Sequence, residues 1–168
     1  MTVSATRHPG PPGRPSRPGL TCRSSDTGHP AYSETLPREP ESARAARALV
    51  RTALAAWGLD ELADDGGVVV SELVTNAVRH TRCHALRVTV ARTGPGTVRI
   101  GVVDRSTVRP VLRAAGPEDT RGRGLALVAA LTRRWGTDQL PWGKRVWGEL
   151  RREGGPGAHR AKASSDSC

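Results

Sequence analysis

The stretch Ser71-Glu72-Leu73-Val74-Thr75-Asn76-Ala77-Val78-Arg79-His80 decides how the rest of this chain is read. Its apolar residues, with Val69 and Val70 just before them, recur at spacings of three and four, the period of an amphipathic helix. Glu72, Asn76 and His80 fall at i, i+4 and i+8 and form one polar stripe along that helix. A helix so rich in valine and leucine must bury most of its surface, and a carboxylate and an amide on its inner flank then need partners or a cleft. Alone, the stripe reads either as a solvated edge or as an oxygen-rich metal–phosphate site. In the second case an amide oxygen meets a divalent cation, and a carboxylate accepts a proton or orients a water.

Outward from that stretch, the helix is predicted from about Asp60 to Thr81. Gly66-Gly67 costs roughly 1 kcal/mol per glycine relative to alanine in a helix interior, so the pair predicts a short turn followed by a main helix from Val68. Upstream, Ala45, Ala46, Leu49, Val50, Ala53, Leu54 and Trp57 give another apolar face, starting near Glu41 after Pro40 and stopping at Gly58. Ala31–Pro37 predicts a short edge strand. Downstream, Leu86, Val88 and Val90 alternate with polar or small residues. The turn Thr93-Gly94-Pro95-Gly96 follows, and Val98, Ile100 and Val102 alternate again, which is a hairpin with one buried face. Residues 105–122 show no period and read as a long functional loop. A third helix is predicted from Gly124 to about Trp135 with Leu125, Leu127, Val128 and Leu131 inward, and a last strand over Arg145–Leu150. The element order predicts an α/β two-layer sandwich: a mixed, mostly antiparallel sheet covered on one face by about three helices.

Composition bounds the rest. The chain has 168 residues, 36% of them hydrophobic, with 19 glycines and 13 prolines. Much of that excess lies in residues 1–30 and 152–168, which are expected to be disordered because they cannot bury enough apolar area to offset chain entropy. The packed domain is expected over 31–151. The net charge of +10 comes from arginines scattered over tails, helix faces and loops, without a helix-turn-helix, finger spacing or aromatic–basic sheet motif, so no direct nucleic-acid partner is expected. Cys22, Cys83 and Cys168 have neither disulfide-framework nor zinc spacing. No apolar run approaches the ~20 residues of a membrane helix, and no signal-like apolar stretch follows the N-terminal arginines. A soluble cytoplasmic protein without membrane attachment is the expectation.

Two further constellations bear on chemistry. Asp104 ends the apolar strand Val98–Val103 and opens the loop, where it can meet a ligand or simply turn the chain. Arg121-Gly122-Arg123-Gly124-Leu125 leads into the third helix. Glycines there let backbone N–H groups approach an anion that the helix dipole favours, and arginines can fork onto phosphate oxygens. The run is neither a Walker A loop nor a dinucleotide fingerprint.

In this order, the stretches resemble the boxes of the histidine-kinase-like, Hsp90-like ATPase superfamily with the Bergerat fold, and within it the small anti-sigma-factor serine kinases. The resemblance spans roughly residues 35–150. SELVTNAVRH is similar to the N box, DRSTVRP to the adenine-contacting G1 box, RGRGLALV to the G2 box, and the segment through Gly143-Lys144 to the G3-like end. The resemblance implies ATP and Mg²⁺ as ligands, with Asn76 on the metal and Glu72 as general base. It implies that Asp104 accepts the adenine amino group, with Ser106 beside it where the wider superfamily has glycine. Arg121, Gly122, Arg123, Gly124 and Leu125 would lie at the phosphates under a lid of 105–121. His80 would be a lid contact or a buried structural histidine, and Lys144 a nucleotide contact or a solvated strand-edge lysine.

With no phospho-acceptor histidine box, dimerisation hairpin or transducer domain in view, the resemblance implies a regulatory protein serine/threonine kinase. Such a kinase would phosphorylate a serine of a small anti-sigma-factor antagonist and hold a sigma factor inactive. The alternative is a non-catalytic ATP-binding switch that sequesters a partner such as a sigma factor. A homodimer is compatible with either.

Overall fold

A computed structural model describes residues 21–24, 30–105 and 123–153 of the chain. The loop expected over 105–122, with Ser106, Arg121 and Gly122, falls outside the described residues except for Arg105, as do most of the two tails.

The hairpin forms as the alternation demands: β3 (Ala85–Gly94) pairs antiparallel with β4 (Thr97–Asp104), Val90 opposite Ile100 and Val88 opposite Val102. Gly96 takes φ +67° in the turn, a conformation that side-chain-bearing residues rarely adopt. Around the hairpin the sheet grows to six strands in the order β1-β2-β3-β4-β6-β5, antiparallel at every junction. The expected mixed sheet is thus wholly antiparallel among the described strands. β2 (Pro30–Pro37) is not the edge strand expected, because β1 (Thr21–Ser24) pairs outside it, within a stretch assigned to the tail.

One face of the sheet carries the core. Leu36, Leu86, Val88, Val90, Val98, Ile100, Val102, Val146 and Leu150 are buried beneath α1 (Ser42–Ala56), α2 (Ala63–His80) and α3 (Arg123–Leu131). Burying each such side chain is worth about 1.5–3 kcal/mol relative to exposure. α1 ends in a Schellman motif at Gly58 (φ +64°): Leu59 N–H donates to Leu54 O at 2.9 Å and Gly58 N–H to Ala55 O at 3.2 Å. Among the described residues no helix is long and apolar enough to cross a membrane.

The glycine pair does not split the second helix. After a 3₁₀ turn over Asp60–Leu62, α2 runs unbroken through Gly66 and Gly67. A β-carbon on Gly66 would lie 2.9 Å from Val50 Cγ1 and 3.3 Å from Ile100 Cδ1, so glycine is what lets α2 approach both α1 and the sheet. Tertiary packing here outweighs the propensity cost that predicted a break.

The third helix is shorter than expected. It stops at Leu131, and Arg134–Leu140 forms the edge strand β5 against β6 (Gly143–Arg151). Leu127, expected inward, is 40% exposed, whereas Leu125 and Val128 are buried.

On the sheet face opposite the three helices, Glu149 of β6 is buried at 2% exposure with no helix above it among the described residues. Arg134 Nε donates to its Oε1 at 2.8 Å, and Arg134 Nη2 and Arg99 Nη2 donate to its Oε2 at 3.0 Å. This clamp ties β4, β6 and the edge strand β5 together. Arg99 also stacks on Trp147, with Cζ 4.1 Å from the ring centre. Burial raises the pKa of Glu149, but hydrogen bonds from Arg134 and Arg99 outweigh it and hold the carboxyl below its usual range. Asp138, opposite Arg145 further along β5, behaves alike: desolvation is overcome by hydrogen bonds from Arg145 and Trp147.

Candidate functional site

The parity of the central strands decides what faces the helices at their ends. In β4, Val98, Ile100 and Val102 point into the core, and so does the next residue of that parity, Asp104. In β6, Leu150, Gly148 and Val146 do the same and are followed by Lys144. The register puts Asp104 opposite Lys144. Lys144 Nζ donates to Asp104 Oδ1 at 3.3 Å, with both side chains 1% exposed. Of the two readings of Lys144, the solvated strand-edge lysine is removed, because the side chain is fully buried. The signal was present in the sequence: its parity matches that of Val146 and Leu150.

The turn beside the pair is tightly packed. A β-carbon on Gly143 would collide with the carbonyl oxygen of Asp104 and the Cα of Arg105, so only glycine lets the β5–β6 turn close on the end of β4. Trp142, next to it, is 56% exposed, a large apolar surface at this end that sequence reading passed over.

α2 leads to the same end of the sheet. Val69 Cγ1 lies 3.2 Å from where a β-carbon of Gly148 would sit, and Gly66 lies over Ile100 and Leu150. The helix therefore advances toward Lys144 and Asp104. From Val69 to Asn76 it rises roughly 10 Å at about 1.5 Å per residue, against roughly 14 Å of β6 from Gly148 to Lys144 at about 3.4 Å per residue. Asn76 therefore lies further along α2 in the direction in which β6 runs to Lys144. Glu72 and Asn76 are half-buried on α2, while His80 at its C-terminus is exposed, which removes the reading of His80 as a buried structural histidine. The last turn of α2 is held from outside by Arg38, whose Nη1 donates to Val78 O at 3.3 Å and Thr81 O at 3.4 Å.

The start of α3 closes the third side. A β-carbon on Gly124 would lie 2.5 Å from Glu72 Oε2, so the glycine-rich entry to α3 rests directly against the Glu72 carboxylate. Leu125 is buried at 8% in the core, which leaves its backbone N–H, in the first turn of α3, as the group able to meet an anion. The geometry thus brings Glu72 to Gly124 and Asp104 to Lys144. Oxygen donors, backbone N–H groups at a helix start and a buried acceptor lie at one end of the sandwich. Such a set suits an anionic ligand carrying a hydrogen-bonding ring. Among the described residues, no cluster of three His, Cys, Asp or Glu could hold a metal ion.

Comparison with known proteins bears on the family and the fold. The model of the histidine kinase-like ATPase domain matches residues 36–147, which take in α1, α2, β3, β4, α3, β5 and the first half of β6. Nine solved chains match. One is the crystal structure of the RsbU and RsbW domains of Rv1364c from Mycobacterium tuberculosis, 28% identical with a TM-score of 0.55, covering 74% of this chain and 33% of that one. The chain thus spans about a third of the length of that solved chain. Among curated proteins no significant match is found. With a family model spanning well over half of its length, the chain belongs to the histidine kinase-like ATPase domain family.

Proposed function

We propose that the chain binds ATP with Mg²⁺ at the end of the sandwich bounded by α2, the Asp104–Lys144 pair and the start of α3. We propose further that it is a protein serine/threonine kinase of the anti-sigma-factor type. The observation that carries this reading is the contact of Gly124 with Glu72, which sets a carboxylate against the helix start where phosphates would lie. A side chain at Gly124 would strike the Glu72 carboxylate, and one at Gly143 the backbone of Asp104.

In this reading Asp104 accepts the adenine amino group, with Ser106 beside it, and the amide oxygen of Asn76 holds Mg²⁺. The backbone N–H groups of Gly122, Gly124 and Leu125, with Arg121 and Arg123, take the phosphates, while Lys144 and His80 border the site and residues 105–121 supply the lid. The metal supplies neutralisation of charge on the phosphates when bound. Glu72 accepts the proton of the attacking serine hydroxyl, and the arginines stabilise the charge that develops in transfer. The substrate would be a serine on a small antagonist protein, with a sigma factor as the alternating partner.

Transfer from γ-labelled ATP to such an antagonist tests this. Glu72→Gln should lose at least about 10²-fold in transfer, within the range general-base catalysis contributes, while its ATP affinity changes by less than about threefold. Equal transfer by the variant would remove Glu72 from the mechanism. ATP binding by the wild type with no transfer to any antagonist would assign the chain to the non-catalytic switch.

A further inference from the structure

The buried partner of Asp104 does more than border the site. An ionised carboxylate only accepts hydrogen bonds, whereas a protonated one also donates. A carboxyl group sealed from water tends toward the neutral form unless a cation stands beside it. Asp104 is 2% exposed and Lys144 1%, and the ammonium lies 3.3 Å from Oδ1. The pair sits at a fixed register position of two central strands, Asp104 opposite Lys144. Gly143, which no side chain could replace without striking the Asp104 backbone, holds the turn that delivers the lysine. Nothing in this geometry sends Lys144 toward solvent or toward the glycine-rich start of α3, where Glu72 lies.

We propose that Lys144 is the positioning residue for base recognition, holding Asp104 as an oriented, acceptor-only carboxylate so that the site takes purines with an amino group at the 6-position and rejects those with a carbonyl there. The inference rests on the reading of Asp104 as the adenine acceptor. An acceptor-only group pairs with the 6-amino group of adenine and faces the 6-carbonyl of hypoxanthine or guanine oxygen to oxygen. Without the ammonium at Oδ1 the carboxyl group loses the contact that orients it toward the 6-position, and discrimination would fall.

The test is the ratio of dissociation constants for ATP and inosine triphosphate, measured by calorimetry on the full chain. The wild type should prefer ATP by at least about tenfold, because a site built around a hydrogen bond penalises a ligand that leaves it unmade. In Lys144→Met the ratio should fall to within about threefold, whereas a merely structural lysine would weaken both nucleotides equally. Lys144→Arg keeps the cation and should keep the preference, and it decides the question if the methionine variant does not fold. A wild-type ratio retained in folded Lys144→Met, or lost in folded Lys144→Arg, overturns the role of Lys144 while leaving the adenine reading intact. An ATP affinity unchanged in Asp104→Asn overturns that reading and this inference together.

Discussion

Two adjacent glycines near the start of α2 should respond to the same substitution with opposite signs. In an unbroken helix interior, alanine gains up to about 1 kcal/mol over glycine from backbone entropy. At Gly67 the new methyl would meet only the Arg47 side chain, at 3.7 and 3.9 Å, which is ordinary van der Waals contact. Gly67→Ala should therefore stabilise by about 0.5–1 kcal/mol. At Gly66 the methyl would come within 2.9 Å of Val50 Cγ1 and 3.3 Å of Ile100 Cδ1. Val50 is fully buried and stiff at χ1, so it cannot rotate clear. Overpacking of this kind costs about 1–3 kcal/mol, which exceeds the propensity gain, and Gly66→Ala should destabilise by about 1 kcal/mol net. For a domain of this size the two variants should bracket the wild-type melting temperature by several degrees on either side, read by circular dichroism at 222 nm and by urea midpoints. Shifts of the same sign, or a stabilised Gly66→Ala, would refute the claim that close packing of α2 against α1 and β4 fixes that glycine.

Gly124→Ala should separate stability from chemistry. The methyl would lie 2.5 Å from Glu72 Oε2, the tip of a flexible side chain, so the fold yields cheaply, while a displacement of about 1 Å in a reacting group costs about 10²-fold in rate. Transfer should fall on that order with the melting temperature nearly unchanged, and full activity would remove the Glu72–Gly124 contact from the mechanism. Glu149 supplies a pH signature. Its carboxyl is held below the usual range in the folded state, so its contribution is present above the unfolded value near 4.5 and is lost as pH falls through the lower folded value. Glu149→Gln should cost about 1–3 kcal/mol at pH 7, with the gap to wild type closing as denaturation is repeated toward pH 3. A gap that stays constant or widens would contradict the Arg99–Glu149–Arg134 clamp.

Most of the fold could be read from local pattern because the core follows it. The alternation of Leu86–Val90 and Val98–Val102 gave the hairpin, and the three-and-four spacing through Leu54 and through Leu73 gave α1 and α2. β5 escaped because its inner residues Trp135, Thr137 and Gln139 are not a simple apolar row and it follows α3 after two residues, so the helical pattern ran on into Trp135. Glu149 has the parity of the open face, as its alternation indicates. Its burial depends on Arg99 and Arg134, which arrive from two other strands and leave no mark in its own neighbourhood. Lys144 is the instructive case at the site. Parity placed it inward, but a lysine at a strand edge ordinarily reaches water, and only pairing with β4 brings the carboxylate that makes its burial tolerable. Glu72, Asn76 and Asp104 were visible as candidates, while the contact of Gly124 with Glu72 required the third dimension.

The central claim is that one end of this sandwich binds ATP through residues on three separate elements. Calorimetric titration of ATP into the full chain, with and without Mg²⁺, tests it most directly when wild type, Asn76→Ala and Asp104→Asn are compared. The wild type should bind saturably, Asp104→Asn should bind ATP at least about tenfold more weakly from the unmade hydrogen bond, and Asn76→Ala should lose the Mg²⁺-dependent part of the affinity. A folded wild type that does not bind ATP, or two variants that bind it as the wild type does, would contradict it.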